Sequence, residues 1–452
     1  MTARVVVIGA GSAGCAVAGT LAVDRSRSVT LLEAGPASSD PAAYGQSFLD
    51  ALASPGRIWA GLEVERAPGL PPSVYERGRG RGGSSAVNAM LAVVPDRCDH
   101  DDWVRRGAAG WGWADMAARY RSTRLALDRC RAEELGPISC AVIADRRVGA
   151  APALLTRDAT GRRVNSADAY LGDDLGGGRV ELVGDALVDR VLMRSGRAIG
   201  VALADGRSVP ADEVVVSCGA IHTPAVLLRS GIDRSGIGRG LQDHPAMAVP
   251  VRYRAGLAPD PHSLPIGAYA TWSSGEEQAD LQLLPVDHIG DQAPGIGVLM
   301  VALMHVHSQG SVTLRSIDPT VDPIVRMNLL SDERDRRRLR AGARRLVDLL
   351  AGGLLDAVGQ VDPPDPTDDG IRAALGDYVH AAATCRMGRR DDPGAVVDPS
   401  GRVIGYEGLW VADTSILPTV PRANTHLIAV VIGQRIAESM IGRDVPIDGR
   451  GR

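Results

Sequence analysis

Lysine is absent from the whole 452-residue chain, so all 50 basic side chains are arginines. No flexible ammonium group is available for a pyridoxal Schiff base, a Walker-type phosphate loop or a lysine general base. The absence accompanies a lean towards Arg, Ala and Gly, shared by the 54 glycines and the single Phe. Cysteine is sparse too. The six at positions 15, 98, 130, 140, 218 and 385 form neither a CxxC pair nor a dense, even spacing, which excludes a disulfide framework and a dithiol redox centre and favours a reducing cytoplasm. No apolar run reaches about 18 residues, so no transmembrane segment is expected and membrane contact is limited to a peripheral one at the inner face. Arginines and 54 acidic residues nearly balance at a net charge of −4, leaving no concentrated positive field for nucleic acid.

The remaining material is 45% hydrophobic, enough for one large core or two modest ones. The chain opens without a charged leader. RVVVI at 4–8 predicts a strand that runs into glycines at 9, 11 and 14, followed by a small-residue helix to about 24 and a second strand ending near Glu33. Residues 36–76 predict irregular connection with one short helix, and 111–134 a charged helix. Short alternating runs at 179–193, 196–205 and 212–220 predict a small antiparallel meander that rejoins the first sheet. Strand patterns between 246 and 316, then an arginine-rich helix over 332–350, predict a separate sheet-plus-helix unit ended by VDPPDPTDDG at 361–370. The expected fold is α/β, a Rossmann-like domain in two parts, 1–245 and 373–446, with an α+β substrate domain at 246–372 inserted and a polar tail at 447–452.

GAGSAG at 9–14 is GxGxxG directly after a strand, and Glu33 follows Gly14 by 19 residues. That is the spacing of a dinucleotide site. Gly9 permits the turn, Gly11 lets the backbone approach a pyrophosphate, Ser12 and Ala13 open the helix, and Gly14 lets helix and strand meet closely. The helix N-terminus stabilises phosphate charge and the Glu33 carboxylate meets ribose hydroxyls. A carboxylate there argues against a 2′-phosphorylated cofactor without separating FAD from NAD.

From these residues onward the chain resembles the GMC (glucose-methanol-choline) flavoprotein oxidoreductases. The landmarks recur in order: GAGSAG with Glu33, RGRGRGGSSAVNAM at 77–90 with DHDDW at 99–103, CGAIHTPAVLLRSGI at 218–232, GRGLQDHP at 238–245, GSVTLRSIDPTVDPIVRMNLL at 310–330, HAAATCRMG at 380–388, GLWVADTSILPT at 408–419 and NTHLIA at 424–429. The resemblance implies FAD, held in a bipartite domain beneath a second domain. It places Arg77, Gly82, Gly83, Ser84, Asn88 and Ala89 along the pyrophosphate and flavin, Val188 at the adenine through its backbone, Asp413 near the diphosphate and ribityl chain, and Thr425 and His426 at the cofactor. The sequence departs from the family at Arg81, Ala86, Ala89 and RANTH. An arginine at 81 must reach solvent, phosphate or an acidic partner.

Of nine histidines, the resemblance implies His380 and His426 as the reacting pair. Oxidising an alcohol requires removal of the hydroxyl proton as hydride leaves carbon, and an imidazole near its ordinary pKa of about 6.5 accepts that proton at neutral pH. His380 is expected to be the base and His426 to bond the substrate oxygen, with the reverse assignment open. His244 is expected to support the flavin loop. His305 and His307 alternate in VALMHVHSQG, yet no carboxylate or cysteine motif accompanies them, so no metal is expected. The implied activity is FAD-dependent oxidation of a CH–OH donor, dehydrogenase rather than oxidase, with oxygen, quinone or another respiratory carrier as acceptor. The compact length also resembles bacterial members associated with mycofactocin, which implies a reduced organic redox cofactor as donor. A hydroxynitrile lyase and a nonenzymatic flavin-binding interaction protein are the remaining alternatives.

Overall fold

The computed structural model describes residues 2–38, 47–176 and 178–442. The expected tail at 447–452 lies outside them. Ala3–Ile8 is a strand whose last four residues, Val5 to Ile8, are buried. Burial on both faces, rather than alternation, is what a parallel strand between two neighbours requires. It stands at the centre of a five-stranded parallel sheet ordered Leu409–Val411, Glu213–Val216, Ala3–Ile8, Arg27–Leu32, Val180–Val183. From the central strand the chain moves to Arg27–Leu32 on one side, while Glu213–Val216 lies on the other. Such a switch point opens a crevice at the carboxyl ends of the strands.

The Ser12–Leu21 helix, SAGCAVAGTL, is made almost wholly of small residues because it is crowded from several sides. A Cβ on Gly433 in the Thr425–Met440 helix would stand 2.3 Å from the Ala13 carbonyl oxygen. One on Gly19 would stand 2.2 Å from that of Tyr170. The last-sheet strand Leu409–Val411 and the Thr425–Met440 helix come from the far end of the sequence, so the Rossmann-like unit is assembled from both ends of the chain.

A second, antiparallel sheet carries Ala246–Tyr253, Ile296–Leu303, Leu281–Val286 and Ala268–Trp272. Gly359–Val361, Leu375–Gly376 and Ala151–Pro152 complete it. The Glu333–Ala351 helix packs on it through Leu339, Ala343, Leu346 and Leu349. Two strands from the expected irregular stretch, Glu63–Glu65 and Ser73–Val74, join Ile324–Arg326, Gly310–Thr313 and Arg239–Leu241 in a further sheet. Among the described residues no helix is long and apolar enough to cross a membrane.

Three local expectations change. The 179–193 run divides: Val180–Val183 belongs to the parallel sheet, and Val188–Arg194 opens the meander with Arg197–Leu203 and Ser208–Pro210. Glu213–Val216 likewise pairs in parallel with Ala3–Ile8. The helix expected over 111–134 spans only Trp113–Arg121 and stops at Ser122, after which Asp128–Arg129 pairs with Leu154–Leu155.

Candidate active site

The glycines of the first turn each answer to a different contact. Gly9 adopts φ +98°, and a Cβ there would lie 2.5 Å from the Ser217 carbonyl oxygen. At Gly14 it would lie 1.9 Å from the oxygen of Gly9, so helix and strand touch. At Gly11 a Cβ would meet nothing within 4 Å. Gly9 and Gly14 are therefore required by the protein itself, whereas Gly11 borders open space. Glu33 seals the turn: Oε2 accepts from Ala10 N–H at 2.8 Å, and Oε1 from Gly35 and Gly80 N–H at 2.9 Å each. Burial raises its pKa while these three donors oppose the rise.

That open space is a cavity of about 630 Å³ that runs from the glycine turn to His380. Gly9, Gly11, Ser12, Ala13, Glu33, Arg77, Gly83, Ser84, Asn88, Ala89, Val188, Asp413, Thr425 and His426 line it. Gly14 and Gly82 act behind the lining: Gly82 N–H donates to the Ala10 carbonyl at 2.8 Å, fastening the 77–90 loop to the turn. Arg77 donates to the Val379 carbonyl. Arg81 finds its acidic partner in Asp168 at 3.4 Å, which accounts for a charge in that position. Asp413 is committed to the backbone, accepting from Gly219 N–H at 2.9 Å, Thr223 Oγ1–H at 2.5 Å and Ser415 N–H at 2.8 Å. It shapes two lining segments at once.

At the far end, the His244 ring and the Pro421 carbonyl fix the tautomer of His380. His244 Nε2 faces the Pro421 carbonyl at 2.9 Å and must carry hydrogen. Its Nδ1 is therefore an acceptor, and it receives the Nδ1–H of His380 at 3.0 Å. The Nε2 of His380 is left with its lone pair, 3.4 Å from Asn424 Nδ2. Asp243 holds both imidazoles by their backbones, Oδ1 accepting from His244 N–H at 2.7 Å and His380 N–H at 2.9 Å. Its Oδ2 accepts from Tyr75 O–H at 2.6 Å. Burial, with lesser contributions from His244 and Arg77, holds His380 well below the ordinary imidazole range. Burial pushes His244 down to about 4. The ring is thus neutral across a wider pH range than an unperturbed histidine.

His380 and His426 line the same cavity, but the hydrogen-bond partner of His380 on the cavity side is Asn424. His426 turns its Nδ1 to Ser12 Oγ at 3.1 Å, and its Nε2 is buried without a partner among the described residues. Asn424 and His426 stand at the start of the Thr425–Met440 helix. Asn424 stands at the N-cap yet makes no side-chain cap bond, which frees its amide for the site. Its Oδ1 is buried and unpartnered as well. Sequence reasoning singled out neither Asn424 nor Asp243, although both lie inside the quoted NTHLIA and GRGLQDHP segments.

Unpartnered polar atoms at His426 and Asn424, the open side of Gly11 and the carboxylate of Glu33 fit a dinucleotide with a polar ring system. Glu277 also reaches the His305/His307 pair, their donor atoms lying within 4.8 Å of one another. Arg338 stands 3.5 Å from His305 Nδ1 and Arg422 3.3 Å from Glu277 Oε2, so cations already occupy those donors.

A parallel sheet with a glycine turn at its switch point, joined to an antiparallel cover sheet and a histidine site, defines a dinucleotide-dependent oxidoreductase class. The chain belongs to the GMC oxidoreductase family: the N-terminal family model matches residues 3–153 and 148–246, and the C-terminal one 306–433. FAD-dependent oxidation of a CH–OH group is the family's general activity. The chain is 31% identical to a 5-(hydroxymethyl)furfural oxidase of Methylovorus sp. (strain MP688), covering 96% of this chain and 98% of that protein. It is 29% identical to the mitochondrial choline dehydrogenase of Homo sapiens, covering 98% and 91%. In fold it is similar to pyridoxine 4-oxidase from Mesorbium loti, with TM-score 0.88, 24% identity and coverage of 97% and 99%.

Proposed function

We propose that this protein oxidises an uncharged, apolar or aromatic primary alcohol with FAD bound along the cavity, and that His380 is the general base. The carrying observation is the lone pair at His380 Nε2, fixed by the His244 and Pro421 contacts and turned towards the Asn424 amide. FAD would lie over Gly11, Ser12 and Ser84 at its diphosphate, with Glu33 and Val188 at the adenosine end and Asn88, Ala89, Thr425 and His426 at the ring. When bound, it supplies the hydride acceptor.

The chain's own residues then divide the work. His380 Nε2 accepts the hydroxyl proton, and its Nδ1–H to His244 keeps the ring from rotating. The Asn424 amide donates to the substrate oxygen and orients it. The positive end of the Thr425–Met440 helix favours negative charge developing beside it. Around the ring of Tyr378, whose centroid is 4.4 Å from that of His380, one apolar cluster contains Leu91, Ile266, Leu284 and Val286 with Phe48 and Met300. All of these line the cavity. Of the charged lining residues near that cluster, Arg66 and Asp377 neutralise each other at 2.6 Å, and burial with the neighbouring Asp377 raises the pKa of Glu76, which favours its neutral form. An apolar wall suits an uncharged donor better than a quaternary ammonium one, and the furfural oxidase relative acts on a donor of that kind.

Anaerobic bleaching of the bound flavin tests the proposal. Apolar and aromatic primary alcohols should bleach it faster than choline, and choline outpacing them would overturn the substrate class. Recovery of colour in air, with a quinone or with a dye then identifies the acceptor.

A further inference from the structure

Arg163 is 3% exposed and has no acidic partner among the described residues. Its Nη1 donates to the main-chain oxygen of Asn88 at 2.6 Å and to Asn88 Oδ1 at 2.9 Å. Its Nε and Nη2 are buried with no partner among the described residues. Three arginines with side chains as deeply placed are compensated: Arg157 by Asp128 and Glu134, Arg338 by Asp280 and Asp335, Arg422 by Asp99. Taking an ion out of water without a counter-charge costs several kcal/mol. Such a cation persists where something else offsets it, or where the field it creates is used.

The field of Arg163 reaches the cavity. Asn88, which holds the guanidinium, is on the lining, and so is His426. Desolvation draws Arg163 down to about 10, which leaves it charged at neutral pH, and its charge disfavours the protonated form of His426. Asn88 and His426 are the residues assigned to the ring end of the cofactor. In alcohol oxidation hydride goes from carbon to flavin N5 and the hydroxyl proton goes to His380, so the ring system is left with one negative charge. A fixed cation behind Asn88 lowers the free energy of that state and does nothing comparable for the neutral oxidised ring.

We propose that Arg163 sets the reduction potential of the bound flavin, acting as an uncompensated buried cation that favours reduced over oxidised FAD. It is a positioning and electrostatic residue rather than a catalytic one. The proposal rests on the FAD reading above and adds to it a residue whose side chain, among the described residues, hydrogen-bonds only Asn88.

The test compares wild type, Arg163→Met and Arg163→Lys as holoproteins, through the flavin's reduction potential and its affinity for sulfite, which adds at N5 and leaves the ring negative. Arg163→Met should lower the preference for reduced over oxidised FAD at least tenfold, about 30 mV for a two-electron couple, and weaken sulfite binding by a similar factor. Arg163→Lys should stay within about threefold of wild type, because charge rather than the hydrogen-bond fork carries the effect. If the Met chain releases its cofactor, titrating oxidised and reduced FAD onto the apoprotein yields the same ratio from two dissociation constants. If the Met chain does not fold, Arg163→Lys decides alone: a tenfold shift in it overturns the proposal. So does an unchanged ratio in Arg163→Met. A wild-type chain that binds no FAD overturns the flavin reading instead.

Discussion

His380 and His244 meet Nδ1 to Nδ1 at 3.0 Å, and the direction of that bond decides which nitrogen of His380 is basic. Because His244 Nε2 is committed to the Pro421 carbonyl, the shared hydrogen belongs to His380. The lone pair therefore sits on the Nε2, beside Asn424.

Removing the base tests that assignment. His380→Ala should slow anaerobic flavin reduction by about 10²-fold or more, in the range of lost general-base catalysis. FAD content and spectrum should be retained. An unchanged reduction rate would show that the proton leaves by another route.

The pH dependence should differ from that of an ordinary histidine base. His380 is held well below the usual imidazole value, so kcat/KM should be flat through pH 6.5 and fall only in more acid solution. Stability follows the same sign. His244 and His426 are neutral when folded down to about pH 4, but bind protons near pH 6.5 when unfolded. The unfolded chain then holds more protons, and stability is lost as pH falls from about 6.5 towards 4, by up to about 1.4 kcal/mol per unit for each ring. Denaturant midpoints measured from pH 8 to pH 4.5 check this.

Asn424 and His426 should separate kinetically. Asn424→Ala should lower the flavin reduction rate about tenfold or more, whereas His426→Ala should act mainly on the flavin's potential and retention. Stopped-flow reduction and FAD dissociation constants, measured on both variants, distinguish them. A larger loss of reduction rate at His426 would restore it as the partner of the base.

The two glycines of the turn make opposite predictions. Gly11→Asp has room for its side chain in the folded protein, and should give a stable chain without FAD, through clash and charge repulsion at the phosphates. Gly14→Ala places a methyl 1.9 Å from the Gly9 carbonyl oxygen and should lower Tm whether or not FAD is present. Thermal melts with and without added FAD check both.

The glycine turn was legible because its requirements are local. A positive φ and a close helix–strand approach are written into GAGSAG, and Glu33 lies one strand further on. The pairing at the other end was not. Asn424 and His426 are two positions apart at one helix start, and only the backbone path decides that the amide meets His380 while the imidazole meets Ser12. Periodicity also missed Arg163, since an arginine in a strand–turn segment reads as exposed, and its isolation appears only when every acidic neighbour is placed. The same holds for Glu277 beside His305 and His307, a contact made by a loop from another part of the chain. The 111–134 helix failed for a simpler reason: the charged pattern continued past the point where Ser122 closes the helix and the chain turns to pair Asp128 with Leu155.

The central claim is FAD-dependent oxidation of an alcohol with His380 as base, and anaerobic stopped-flow of the purified holoprotein measures it most directly. An apolar or aromatic primary alcohol should bleach the flavin band in the wild type, and about 10²-fold more slowly in His380→Ala. A folded wild-type chain that takes up no FAD, or a flavin that wild type and His380→Ala reduce at the same rate, would contradict it.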